Sequence, residues 1–372
     1  MSRFFDIVSR QVREGGGYVP SPPSRPATIQ RQVIKLDSNE NPLGPSFRAT
    51  EAMRMALASS SAYPDDDGTQ LRNKLAELHG LGVEQVLITA GSTGMLALLC
   101  QTLLTPGLNA VTSERSFIVY SMATRAAGAE LIEAPMREYG IDLGAILQAI
   151  NEDTRIIFLA NPNNPTGTML NVDALDHFLE DVPAHVVVVL DEAYYEFAAD
   201  FAARRKVEYS RSREYLQRGA SVVVTRTFSK VHGLAGLRIG YGLGPAELLS
   251  YCARMRSTFS VASLAQVAAL AALDDAKHVG RTIANNAEQA QIVGVVLSEM
   301  GFTVVPTWAN FLCCDLGRDT SPVAEQLRAE GISVRPLGGW GLPTCLRVSI
   351  GTAGQNHAFL NAMTRVLSSS SG

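Results

Sequence analysis

With 372 residues, 46% of them hydrophobic and 18% charged, the chain can bury a sizeable core and is long enough for two domains, or for one large domain with an annex. A net charge of −4, with no Lys/Arg-rich block, argues against a nucleic-acid partner. Asp6, Ser9 and Arg10 break up the N-terminus, so no secretory leader is expected, and the longest apolar run, residues 186–190, is too short to cross a bilayer. Five cysteines without a C-x-x-C spacing and six histidines without an H-E-x-x-H pair predict neither a disulfide framework nor a metal site, and they suit a reducing cytoplasm.

Residues 1–29 read as a short helix, broken at Gly15, Gly16 and Gly17, and then a proline-rich stretch, YVPSPPSRP. That stretch is either a free terminus or an extended arm lying on another surface, with Tyr18 at its start. Residues 33–36 suit a short strand, and SNENPLGPS after them suits turns built on Asn-Pro and Gly-Pro. Helical spacing follows over 47–59. The turn SAYPDDDG then carries Tyr63, and Thr69 opens an amphipathic helix that Gly80 ends.

From residue 85 the pattern alternates. Apolar strands are expected over 85–89, 109–112, 130–133, 156–160, 186–190 and 221–224, separated by helices over 95–104, from Phe117 onward, over 143–150 and over 172–179. This predicts an α/β fold, a mostly parallel sheet sandwiched by helices. Ligands collect at the carboxyl ends of such strands. There the chain places AGSTG (90–94), NPNNPTG (161–167), DEAYYEF (191–197) and TRTFSKVHGLAGLR (225–238). GYGLG at 240–244 lacks the G-x-G-x-x-G spacing and reads as part of a strand over 238–243. Helices dominate 245–300, notably 264–273 and 282–299, and short strands over 303–305, 311–315, 333–335 and 346–350 then surround another helix. The change of rhythm sets a boundary near residue 260, giving a large domain over 46–260 and a smaller α+β domain from 30–45 and 261–372.

Lys230 is one of only five lysines, with Lys35, Lys74, Lys206 and Lys277, and it follows a buried strand among Ser, Gly and apolar residues. Desolvation or neighbouring cations would keep part of such an amine neutral and nucleophilic. Thr227, Ser229 and Arg238 suit a phosphate beside it. Gly91, Ser92 and Thr93 open a helix and either offer free N–H groups and the positive dipole end to the same anion or simply cap that helix. An aldehyde cofactor carrying a phosphate, pyridoxal 5′-phosphate, needs this combination. Asp191 at a strand end suits its pyridine nitrogen, Tyr194 and Asn164 suit its 3-oxygen, and Phe117 can stack on its ring. Lys230 would bind the aldehyde and, once freed, move the proton between Cα and C4′.

NPNNPTG, LDEAY and SKVHGLAGLR, in that order, resemble the fold-type I pyridoxal-phosphate aminotransferases of the class II branch. SNENPLGP, YPD (63–65), YVP (18–20), NFLCCDLG, VRPLGGWGLP and LRVSIGT are most similar to the histidinol-phosphate aminotransferase subfamily, and the likeness covers almost the whole chain. It implies that Lys230, Asp191, Tyr194, Asn164 and Arg238 match the family's cofactor residues, with Phe117 where many members have tyrosine. It implies that Arg347 grips a substrate carboxylate, and that Tyr18 and Tyr63 meet the substrate's phosphate end, Tyr63 from the neighbouring subunit of a homodimer with shared sites. The chain departs from the family at Ser92-Thr93-Gly94, where many members have Ser-Asp-Glu, and at TFSVA (258–262), where a Pro-Phe/Tyr-Asn-Val-Asn segment is frequent.

The expected activity is transamination of histidinol phosphate with 2-oxoglutarate, giving imidazole-acetol phosphate and glutamate, in histidine biosynthesis. An aromatic amino-acid aminotransferase of the same build is the alternative. Further readings are a pyridoxal-phosphate decarboxylase of a phosphorylated amino acid and a cofactor-binding regulatory domain, the last disfavoured by the acidic balance and by the lack of room upstream for a DNA-binding helix pair.

Overall fold

The computed structural model describes Val8 and residues 33–369. Tyr18 and, apart from Val8, the expected arm over 1–29 lie outside the described residues. In chain order the strands are β1 (Ile34–Lys35), β2 (Val86–Thr89), β3 (Asn109–Ser113), β4 (Glu130–Ala134), the small hairpin β5 (Met136–Arg137) and β6 (Gly140–Ile141), β7 (Thr154–Ala160), β8 (Val187–Asp191), β9 (Val222–Thr227) and β10 (Gly240–Leu243). After them come β11 (Thr303–Val305), β12 (Phe311–Asp315), β13 (Ile332–Ser333), β14 (Arg335–Pro336) and β15 (Cys345–Ser349).

Seven strands form one sheet in the order β2-β10-β9-β8-β7-β3-β4, parallel except for β10, which runs antiparallel to both neighbours. Its strands are apolar on both faces because both are covered. On β9, Val222 and Val224 enter one buried cluster while Val223 enters the opposite one, the period-two alternation of a strand. One cluster gathers the helices Thr69–His79, Val172–Asp181 and Ser263–Leu273, and the other gathers Gly91–Leu103 and Val119–Ala126. A second sheet, β11-β12-β15-β14, packs under the helices Ala276–Glu299, Ser321–Ala329 and Ala353–Ser369. β1 pairs in parallel with β13, Ile34 opposite Ile332, so the segment before the large sheet is anchored to the C-terminal part of the chain.

Several expectations change. The Ala-rich helix Ser263–Leu273 lies beyond the expected boundary at 260, yet Ala265, Ala268, Ala269 and Ala272 are all buried in the large-sheet core. Their small side chains let it lie close against the helix Phe47–Ala56. That helix stops short of 59 and finishes as the 3₁₀ turn Leu57–Ser59. The helix expected from 282 starts at Ala276, capped by the Asp275 carboxylate accepting from the His278 N–H at 3.1 Å. The single strand expected over 333–335 is split between β13 and β14, which pair with different partners. The helices Tyr195–Arg205 and Ser212–Gln217 were not visible in the pattern, because their aromatic and charged runs hide a 3.6-residue period.

Gly240 sets the distance between β10 and the helix Gly91–Leu103. A Cβ there would stand 2.5 Å from the Ser92 nitrogen and 2.7 Å from the Arg226 oxygen, both backbone atoms that cannot swing away. Gly240→Ala is therefore expected to destabilise the fold by about 1–3 kcal/mol, an overpacking cost. A shift of the urea midpoint with an unchanged slope would show it.

Candidate active site

The carboxyl ends of the parallel strands open into a cavity of about 770 Å³ that also reaches β14, β15 and the segment 37–40. Lys230 lies in the turn after β9, closed by Gly233 N–H donating to the Lys230 oxygen at 3.0 Å. Its Nζ donates to the backbone oxygens of Ser38 (3.3 Å) and Asn39 (3.2 Å) and stands 5.5 Å from the Tyr194 ring centroid. Burial, then the guanidinium groups of Arg347 and Arg238, pull the amine down to about 7, against the opposing pull of Glu40 and Asp191.

Asp191 ends β8 and is buried. Thr225 Oγ1 donates to its Oδ1 at 3.0 Å, and the Tyr120 hydroxyl donates to its Oδ2 at 3.1 Å. Burial pushes the carboxyl up to about 6 in spite of these donors. Tyr194, also buried, accepts from Asn39 Nδ2 at 3.0 Å and meets Phe311 edge-on at 5.3 Å. Phe117 lines the cavity and stands edge-on to Tyr120, which stacks on Phe158 at 4.7 Å.

Arg238, in a left-handed backbone conformation (φ 51°), reaches from the lysine turn to Ser229 Oγ (3.3 Å) and Thr93 Oγ1 (3.4 Å). Thr227 Oγ1 donates to Ser229 Oγ at 2.9 Å. Ala90, at the cap position of the helix Gly91–Leu103, makes no side-chain cap bond, and Ser92 and Thr93 line the cavity. At Gly91 (φ +74°) a Cβ would lie 2.5 Å from Arg238 Nη2. A helix N-terminus, the hydroxyls of Ser92, Thr93, Thr227 and Ser229, and a guanidinium thus converge on one corner, which is chemistry for a phosphate.

Across the cavity Arg347 is buried on β15. Its Nη1 donates to Asn164 Oδ1 at 2.5 Å and its Nη2 to the Asp37 backbone oxygen at 2.7 Å. Arg335 faces it in the β14–β15 register and also lines the cavity, with Arg125 and Arg328 at the rim. Tyr63 is not brought to this cavity. It is 81% exposed and stacks on Phe259 at 4.4 Å.

Sequence reasoning missed Tyr120, Asn39, Thr225 and Arg335. Tyr120 stands three residues past Phe117, a spacing that puts both on one helical face. Asn39 is held at φ 57° within SNENP, a turn whose residues were read only for their prolines.

A buried amine drawn down to about 7 and a corner suited to a phosphate line this candidate site, and the chain belongs to the aminotransferase class I and II family, whose model matches residues 31–363. Among curated proteins it is similar to histidinol-phosphate aminotransferase 2 of Pseudomonas aeruginosa, 44% identical over 99% of each chain. It is 41% identical to the protein of that name in Pseudomonas fluorescens, over 98% of each chain. Among solved structures it is similar to the histidinol-phosphate aminotransferase of Sinorhizobium meliloti in complex with pyridoxal-5′-phosphate, with TM-score 0.84 and 27% identity over 91% of this chain and 92% of that one. The fold is that of the fold-type I aminotransferases.

The residues fit the cofactor expected from the sequence. The amine, the buried carboxyl, the phenol and the phosphate corner line one cavity that the Phe117 ring also lines. In cofactor-free protein near pH 7, Lys230 is expected to be reductively methylated ahead of Lys35, Lys74, Lys206 and Lys277, with a rate midpoint near pH 7. Peptide mass mapping after short exposures would check this, and labelling no faster than at the exposed lysines would contradict it.

Proposed function

We propose that this chain is a pyridoxal-phosphate-dependent transaminase that interconverts histidinol phosphate plus 2-oxoglutarate with imidazole-acetol phosphate plus glutamate, a step of histidine biosynthesis in the cytoplasm. The observation that carries the reading is the pair of anion seats in one cavity, with Lys230 within electrostatic reach of Arg238 in one and Arg347 in the other. The first seat, around Arg238, Thr93 and Ser229, suits the cofactor phosphate. The second, Arg347 with Arg335 opposite, must take both a carboxylate of glutamate and the phosphate monoester that histidinol phosphate carries in its place. Two guanidinium groups suit that double duty better than one.

When bound, the cofactor supplies an electron sink for the bonds at the substrate Cα. Lys230 would hold it covalently and would move the proton at the substrate Cα. An amine near neutral at pH 7 is a competent base there, whereas an ordinary lysine is almost wholly protonated. Asp191 would hold the pyridine nitrogen protonated, and a carboxyl lifted by burial would be stabilised as the anion by that cation. Tyr194 and Asn164 would orient the 3-oxygen side, and Phe117 would pack on the ring face. Ile118, Met122 and Trp340 offer an apolar wall for the imidazole ring.

The exposed Tyr63, outside its own cavity, supports a homodimer in which it serves the partner's site. The division of the chain is a large domain over 46–273 and a small domain from 30–45 and 274–372, the boundary moved by the packing of Ser263–Leu273.

Single-turnover spectra of the loaded enzyme against histidinol phosphate, phenylalanine and tyrosine test the reading. A half-reaction with histidinol phosphate is expected. Its absence, with turnover of the aromatic amino acids, would replace the reading by an aromatic aminotransferase, which the same apolar wall would serve. Arg335→Gln is expected to cut kcat/KM for histidinol phosphate relative to unphosphorylated histidinol by roughly 10- to 150-fold, the worth of a charged hydrogen bond. Steady-state rates on the two amines would check this.

A further inference from the structure

We propose that Trp340 is a positioning residue that holds the substrate-binding arginines at their working distance from the cofactor side of the cavity. The inference rests on the aminotransferase reading, not on the identity of the amine. Arg335 and Arg347 are register partners on β14 and β15, and the loop joining these two strands carries Trp340. That loop is closed on itself by backbone bonds, Trp340 N–H to the Leu337 oxygen at 2.9 Å and Leu342 N–H to the Leu337 oxygen at 3.2 Å. Leu337, Leu342 and Cys345 pack beneath it.

The loop is rigid within itself, so what fixes the hairpin against the large sheet is its tie outward. The indole Nε1–H of Trp340 donates to the Ser116 backbone oxygen at 3.1 Å. Ser116 precedes Phe117, and its own Oγ donates to Asn163 Oδ1 at 2.8 Å. Asn163 Nδ2 returns to the Arg115 oxygen at 3.2 Å and to Thr166 Oγ1 at 2.9 Å. Its neighbour Asn164 accepts from Arg347. The bonds close a ring running from Arg347 through Asn164, Asn163, Ser116 and Trp340 and back along the hairpin to Arg347. The indole N–H is the link that crosses from the hairpin loop to the loop bearing Phe117. A tryptophan supplies that one donor on a rigid plane with only two side-chain torsions to fix, which suits a strap better than a long flexible side chain.

The test separates the strap from a simple wall. Trp340→Phe keeps an aromatic ring against the cavity and removes the N–H, whereas Trp340→His keeps a ring N–H. With Trp340→Phe, KM for 2-oxoglutarate and for the amine are each expected to rise roughly 2- to 12-fold, the net worth of one hydrogen bond, with kcat little changed. Trp340→His is expected to restore part of the loss. Hydrogen exchange of the protein without substrate gives a readout independent of turnover. In Trp340→Phe, exchange is expected to rise in residues 337–345 and also in residues 114–118 across the cavity, while the sheet strands stay as in the parent. A rise confined to 337–345, or a Trp340→Phe enzyme whose KM values match the parent's, would overturn the proposal.

Discussion

The site depends on a crowd of like charges that the fold refuses to neutralise. Lys230, Arg238 and Arg347 converge on one cavity, and among the described residues none of the three forms an ion pair. Their partners are neutral acceptors. Lys230 has the oxygens of Ser38 and Asn39, Arg347 has the Asp37 oxygen and Asn164, and Arg238 has the Ala235 oxygen and two hydroxyls. Carbonyl oxygens satisfy the N–H groups without cancelling the charge, so the positive field remains for an anionic ligand. The cost of this crowding falls on the group that can lose its proton. A guanidinium cannot shed charge at ordinary pH, whereas an amine can, and burial first, with this crowding added to it, draws the amine down to about 7. The cations that bind anions thus add to burial in activating the base.

The same cavity is knitted by residues 37–41, a stretch with almost no regular structure. Asp37 and Asn39 give backbone oxygens to Arg347 and Lys230. Asn39 Nδ2 donates to Tyr194, Asn310 Nδ2 donates back to the Asn39 oxygen, and Asn41 Nδ2 donates to the Val231 oxygen. β1, immediately before it, is pinned to β13. One short segment therefore joins the lysine turn, the β8 end and the C-terminal sheet, which explains why so many of its polar side chains are buried.

Much of this was legible in the sequence because it follows from local rules. Apolar strands separated by helices gave the parallel sheet, and the strand-end rule then pointed to the loops holding Asn164, Asp191 and Lys230. What stayed hidden depends on distant pairing. Thr225 reads as the first residue of the lysine loop until β8 and β9 lie side by side and its hydroxyl meets Asp191. Arg335 gains meaning only when β14 is paired with β15. A change in rhythm marks a change of secondary structure, not of the core to which a helix belongs, and the alanines of Ser263–Leu273, past the expected boundary at 260, are buried with the large sheet.

Asp191 and Glu192 show how far such pairing separates residues that look alike in a sequence. They are adjacent acids at the end of β8, and successive side chains of a strand point to opposite faces. Glu192 turns away from the cavity and meets its own cation. Arg226 donates to it through Nε at 3.0 Å and Nη2 at 2.7 Å, and Ser212 Oγ adds a bond at 3.2 Å. Its charge is satisfied inside the protein, and breaking that buried pair would leave an uncompensated ion. Asp191 turns toward the cavity and is given only hydroxyls and a backbone N–H. It is equally buried and, among the described residues, forms no ion pair, and the neighbouring Glu192 charge adds to the effect of burial in lifting its carboxyl. One acid is complete within the fold, and the other is left short by one positive charge at the place where a protonated pyridine nitrogen would supply it.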